Sequence, residues 1–266
     1  MKIINRQPHK TADVSSARGS SLREFWQMVL AAMVLLVVLY FLIGIAVDLI
    51  VTRVSYETEA KIFRAFQPEQ SEPCSEEGRR RLDQARAILE KYTADPRVPP
   101  LPYSLILVEN EKPNAFAFPG GTIGITTGLF EMLTEEIEIA FVIGHELGHF
   151  YNRDHLQGLG RAAGLGIAMA ILFDMESGGE SLANIVNFVF QRTYSQKREI
   201  EADRFGLELV YGAYGRVDGT DRLFRLLLEQ KDLPQWAYMF ATHPSPRERI
   251  INLEKCSQNL LNRKSS

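Results

Sequence analysis

Cysteine is nearly absent, with two residues, Cys74 and Cys256, in a chain of 266. Two are too few for a disulfide scaffold, and they stand too far apart for a zinc finger of the cysteine type. A dominant charge of one sign is lacking too: 30 Lys+Arg against 33 Asp+Glu leave a formal −3. That balance excludes a bulk polyanion binder and gives no reason to expect a nucleic-acid partner. The chain shows no internal repeat and no low-complexity tract. Its 45% apolar and 24% charged residues exclude wholesale disorder, and its length accommodates one sizeable domain or two small ones.

One stretch lacks charge altogether. From Phe25 to Val47, 23 residues carry only Gln27 as a strongly polar side chain. As a helix this is about 35 Å long, enough for a hydrocarbon core of about 30 Å. The apolar core of a cleaved signal peptide is shorter, about 7–15 residues, and a buried core helix keeps a polar face. The stretch therefore predicts a retained anchor in a lipid bilayer. Residues 1–24 hold five basic and two acidic side chains, whereas the segment after the span mixes Asp48, Glu57 and Glu59 with Arg53, Lys61 and Arg64. The positive-inside bias places the tail in the cytoplasm and the main body across the membrane. There Cys74 and Cys256 either pair or remain two buried thiols.

The remainder reads as a charged connector over 48–75, then a surface helix over 76–92 with Leu82, Ala85, Leu89 and Tyr92 on one stripe. A proline-rich loop, Asp95–Pro102, precedes a strand over Tyr103–Glu109. Asn114–Gly121 reads as a turn region, Thr122–Thr127 as a second strand, and Leu129–Arg153 as one long helix only softly interrupted by Gly144 and Gly148. The apolar Leu159–Phe173 contains Arg161 and three glycines and is too short to span, so it predicts a buried or membrane-surface helix.

The strongest chemical signal is His145-Glu146-Leu147-Gly148-His149. Residues four apart on a helix share a face, so His145 and His149 can chelate one ion. Imidazole nitrogens suit Zn²⁺, and three protein ligands leave a position for water. Glu146 can take a proton from that water and deliver it to a leaving amine. The flanking Ile139, Ala140, Phe141, Ile143 and Leu147 predict a buried helix, where unpartnered histidines are costly. A second helical run offers Glu199 and Asp203 on one face, with Glu201 pointing away. That spacing favours Glu199 on the metal and Asp203 holding a ligand histidine by its other N–H.

These motifs resemble the gluzincin metallopeptidases, and three blocks narrow the likeness. Asn114–Gly121 (NAFAFPGG), the H-E-x-x-H segment, and Thr242–Ile250 (THPSPRERI) stand in the same order as in the HtpX, Oma and CAAX-prenyl-protease group, peptidase family M forty-eight. The segment His149–His155 matches that group's H-x-x-x-R-H extension only loosely, with one extra residue before His155, which stays outside the expected site. The resemblance covers roughly residues 76–262. It implies one Zn²⁺ per chain on His145, His149 and Glu199, with Glu146 as general acid/base and Asp203 as the orienting carboxylate. It also implies His243 and Arg249 near the zinc, stabilising the oxyanion; His243 can alternatively occupy the open zinc position in a resting state. By the same resemblance the Gly120–Thr127 strand would be the edge strand lining the cleft, where an extended peptide can add.

The expected fold is α+β: a mainly helical, zincin-like domain with a small sheet, preceded by one transmembrane helix. The expected organisation is a basic tail (1–24), an anchor (25–47), a connector (48–75) and a zinc metallopeptidase domain (76–266). A single span resembles the single-anchor quality-control branch, implying a bacterial inner-membrane protein with a periplasmic domain. The expected function is endopeptidase cleavage of misfolded or unassembled membrane and envelope proteins. The alternative is a chaperone-like assembly factor with a gated or mainly structural zinc site.

Overall fold

The computed structural model describes residues 22–66, 73, 75–173, 194–229, 243 and 246–264. Cys74 and the Thr242, Pro244 and Ser245 part of the third motif lie outside them. The chain divides into two units, Met1–Ile45 and Ala46–Ser266. The first is described by helix α1 (Leu22–Val51), whose last residues belong to the second. Its apolar side chains, among them Phe25, Trp26, Leu35 and Phe41, are exposed. Among the described residues it is the one helix long and apolar enough to cross a membrane.

The second unit begins at Ala46, within the expected anchor, and takes in the expected connector. Ser55 caps α2 (Tyr56–Phe63) by accepting a hydrogen bond from Thr58 N, and a 3-10 turn over Arg64–Phe66 follows. Ser75 caps α3 (Glu76–Thr93) in the same way through Gly78 N, with Glu76 and Glu77 at the positive end of the helix. The α3 stripe of Leu82, Ala85, Leu89 and Tyr92 is buried, as its spacing predicts.

Three strands form the sheet: β1 (Ser104–Val108), β2 (Ala115–Phe118) and β3 (Thr122–Thr126). The order is β1-β3-β2, with β1 parallel and β2 antiparallel to β3. Two sequence expectations are corrected here. Asn114–Gly121 holds a strand as well as a turn, and β3 is central, so the Gly120–Thr127 segment is not an edge. The chain turns back between β2 and β3 through Gly120 (φ 92°) and Gly121 (φ 102°), a conformation that side chains disfavour. Gly124 leaves room for the Phe116 ring, which a Cβ at 124 would meet at 2.3 Å.

The expected long helix is two helices, α4 (Thr127–Met132) and α5 (Glu136–Tyr151). Leu133 adopts an extended conformation, and Glu138 accepts hydrogen bonds from Thr134 N (2.8 Å) and Glu135 N (3.1 Å), which restarts the helix. From Ile137 to Phe150 α5 is buried on every side and forms the centre of the unit. Then follow α6 (Asp154–Phe173), α7 (Gln196–Tyr214), α8 (Arg222–Glu229) and α9 (Pro246–Lys264). Helix α6 contains the apolar Leu159–Phe173 segment. The core joins α3, α5, α7 and the sheet through residues such as Leu82, Ile123, Ile125, Ile143 and Leu207.

Candidate metal centre

Helix α5 packs against α7 through small residues. A Cβ at Gly144 would lie 2.9 Å from Gly206 Cα, and one at Gly148 would lie 2.7 Å from Ala202 Cα. Gly144, just before the motif, and Gly148 within it are thus contact points rather than weak places in the helix. The close approach sets the His145/His149 face of α5 against the Glu199/Asp203 face of α7. Glu201, on the other side of α7, is exposed.

Each motif histidine is held by its Nδ1. His145 Nδ1 lies 2.9 Å from Asp203 Oδ1, and His149 Nδ1 lies 2.9 Å from Asp154 Oδ2. With those carboxylates accepting from Nδ1–H, each ring presents Nε2 as a lone-pair donor. Both Nε2 atoms are buried with no hydrogen-bond partner among the described residues, and so is Glu199 Oε1. Glu199 Oε2 is 3.6 Å from His145 Nε2, and Oε1 is 3.6 Å from His149 Nε2. Leaving such atoms unpaired costs about 1–3 kcal/mol per neutral group, so their convergence on one point fits an ion. Ligand-capable atoms of His145, His149, Glu199 and His243 all lie within 4.8 Å of one another. Two imidazoles and a carboxylate are a catalytic zinc donor set, so the residues fit one Zn²⁺.

His243 joins this group through Nδ1, 2.9 Å from Glu199 Oε2, while its Nε2 is 3.5 Å from the Ala115 carbonyl oxygen of β2. Glu146 is buried beside them, with Oε2 free of any partner among the described residues. Arg249 meets the group through two carboxylates. Its Nε and Nη2 donate to Asp203 (2.7 and 2.6 Å), and its Nη1 lies 2.8 Å from Glu199 Oε2. The Phe224 ring covers the guanidinium at 4.3 Å.

Burial and charge set the protonation of the group. Burial pushes the pKa values of His145 and His149 down, outweighing the carboxylates that hold them, and keeps both rings neutral as ligation requires. Burial pushes Glu146 up. For Glu199 burial acts upward, but the charges of His243 and Arg249 prevail and hold it far below the usual carboxylate range. Burial likewise opposes the cation of His243, yet the charge and hydrogen bond of Glu199 raise its pKa.

The sequence reading missed several neighbours. Asp154 holds His149 and is itself paired with Arg198 (2.9 Å). Tyr194 stacks on the His149 ring at 3.8 Å. His155, left outside the site, is buried beneath it and meets Glu59 of α2 at 2.8 Å. The one signal available for Asp154 and His155 was their place directly after the H-E-x-x-H helix.

The sequence signature described as Peptidase family M48 matches residues 80–257, about two thirds of the chain. The chain belongs to this family. Among similar M48 proteins is one named Metalloendopeptidase OMA1, mitochondrial, of Danio rerio, 27% identical over 65% of this chain and 40% of that protein. A Beta-barrel assembly-enhancing protease of Yersinia pestis is 27% identical over 56% of this chain and 33% of its own length. A Protease HtpX homolog of Salinibacter ruber is 28% identical over 59% of this chain and 68% of its own. The chain thus spans well under half of the first two relatives.

Proposed function

We propose that this M48 chain is a membrane-anchored, zinc-dependent endopeptidase. One observation carries the reading: two buried imidazole Nε2 atoms and one Glu199 oxygen, without partners among the described residues, converge on one point, and the unpartnered Glu146 Oε2 is buried beside that group. His145, His149 and Glu199 would hold the zinc, which when bound supplies a Lewis acid for polarising a carbonyl or water oxygen. Glu146, raised by burial, is suited to take a proton from attacking water and return it to the leaving amine. His243, with its pKa raised, offers an N–H donor for the charge that develops on the scissile carbonyl oxygen. Asp203 and Asp154 orient the two ligand rings. Arg249 acts through Asp203 and Glu199 as their counter-charge. Strand β2 is paired only with β3 among the described residues, so an extended peptide can align along its other edge, beside His243.

The anchor is α1, with a basic cytoplasmic tail and an extracytoplasmic catalytic unit in a bacterial inner membrane. Misfolded or unassembled membrane and envelope proteins are the substrate class. The apolar helix and the names of the protease relatives support this reading. A second reading, a chaperone-like assembly factor with a gated or structural zinc site, has one observation behind it: His243 sits within the ligand group itself.

The deciding experiment is digestion of an unfolded protein by the zinc-loaded, detergent-solubilised chain, with Glu146→Gln beside it. Fragments from the wild type alone establish the peptidase and its base. No fragments from either, with zinc bound, favour the second reading.

A further inference from the structure

Helix α2 lies just after the membrane-proximal end of α1, in the stretch whose composition reads as a connector, yet it carries the fully buried Glu59. A carboxylate is an expensive group to bury on a short helix, here one whose other residues are half-buried or exposed, unless its partners are fixed. Glu59 Oε1 accepts a hydrogen bond from Gly120 N in the β2–β3 turn (3.0 Å) and lies 2.8 Å from His155 Nε2. The other nitrogen of His155 is 3.3 Å from the main-chain oxygen of His149. Between these residues the chain leaves α5 and enters α6 through Arg153, held at φ 54°. That is a left-handed conformation uncommon for a side-chain-bearing residue, and it persists only where the surroundings enforce it. Helix α2 supplies the enforcement: the Tyr56 ring lies 4.0 Å from the Arg153 guanidinium, and Glu59 Oε2 is 3.7 Å from Arg153 Nη1. The next residue along this turn is Asp154, which holds His149 by Nδ1.

We propose that Glu59 is a positioning residue for the metal centre: through His155 and Arg153 it fixes the turn that aims Asp154 at His149, and through Gly120 it fixes the end of strand β2. The inference rests on the zinc-site reading above. Its consequence is that the membrane-proximal helix completes the site, so the working unit starts ahead of the expected boundary at 76. A purely structural Glu59 would hold α2 in place without changing how the folded protein binds metal.

The test uses the full chain in detergent and reads zinc affinity by competition with a chromophoric chelator, which needs no turnover. The variants are Glu59→Gln, His155→Gln, the double variant, and Lys61→Ala as an exposed control on the same helix. Partners that orient a metal-ligating histidine typically change affinity about 10- to 100-fold, and these act one contact further out. Each single variant is therefore expected to weaken zinc binding about 10-fold. The double variant should fall short of the sum of the two singles, because the Glu59–His155 contact is common to both. Lys61→Ala should match the wild type. Folded single variants with wild-type affinity, even with lowered melting temperatures, overturn the proposal, and so does full additivity in the double. Should Glu59→Gln fail to fold, His155→Gln interrupts the same linkage and decides the matter by the same affinity measurement. A wild type that takes up no zinc overturns both this inference and the metal-centre reading. A wild type that binds zinc but cuts nothing counts only against the peptidase.

Discussion

Gly148 of α5 faces Ala202 of α7 so closely that a Cβ on the glycine would stand 2.7 Å from the alanine Cα. One turn back, Gly144 meets Gly206 in the same way. Small residues four apart on each helix form two matching seams, and the metal-ligand candidates lie immediately beside them. The seam therefore sets the distance at which Glu199 faces His145 and His149.

Gly148→Ala should separate the helices, because the obstructing atoms are backbone and have no rotamer to yield. Overpacking of this kind costs about 1–3 kcal/mol, and zinc affinity should fall along with stability. Gly212→Ala on the same α7 is the control, since nothing lies within 4 Å of its added Cβ. Helix propensity makes that change neutral or stabilising by up to about 1 kcal/mol. Thermal melts of the two variants, with and without zinc, check the contrast.

The parts of the site that sequence could reveal are those fixed by helical spacing. His145 with His149, and Glu199 with Asp203, share faces because each pair stands four apart on one helix. Contacts set by the path between elements were not readable. Asp154 reaches His149 only because Arg153 turns the chain through a left-handed conformation, and no local pattern of residues announces that turn. Glu59 meets His155 across 96 positions. Strand β2 has four residues and is followed directly by Pro119-Gly120-Gly121, so the turn chemistry masks it. The order β1-β3-β2 follows from a parallel crossover, which strand composition does not encode. The break at Leu133 escapes notice because neither glycine nor proline marks it. Helix α3 and its buried stripe, by contrast, follow directly from apolar periodicity.

Asp203 and Asp154 make the same contact to Nδ1 of His145 and His149, and substitution separates them. Asp203→Asn and Asp154→Asn each keep the size of the side chain but lose the charge that favours Nδ1–H. Each should weaken zinc binding about 10- to 100-fold, measured by chelator competition. Asp203 also pairs with Arg249, so its variant should lose more stability in the metal-free protein than Asp154→Asn, whose partner Arg198 is partly exposed.

Arg249→Met leaves Asp203 and Glu199 buried without their guanidinium. Removing one member of a buried ion group typically costs about 3–5 kcal/mol. Arg249→Lys should restore little, because an ammonium cannot reproduce the two parallel bonds to Asp203 together with the contact to Glu199. Zinc held by Glu199 would supply positive charge there, so saturating zinc should recover part of the loss. Denaturant melts of the apo and zinc-loaded forms of both variants measure it. A loss that zinc leaves untouched would argue that Arg249 is remote from the ion.

Glu59 gives the acid dependence its sign. Burial acts to raise its pKa, but the hydrogen bond and charge of His155, the Gly120 N–H and the charge of Arg153 prevail and hold it below the ordinary 4.5. A carboxylate depressed in the folded state contributes stability that is present above about pH 4.5 and lost as pH falls through the lower, folded value. The wild type should thus exceed Glu59→Gln in stability by its full margin at about pH 6 to 7. That margin should shrink on acidification below about 4.5, as the native carboxylate takes up its proton. Denaturant melts of the metal-free proteins across this range measure it without interference from acid release of zinc. A margin that stays constant from about pH 7 to about pH 3 would show that the charge of Glu59 adds nothing to the folded state.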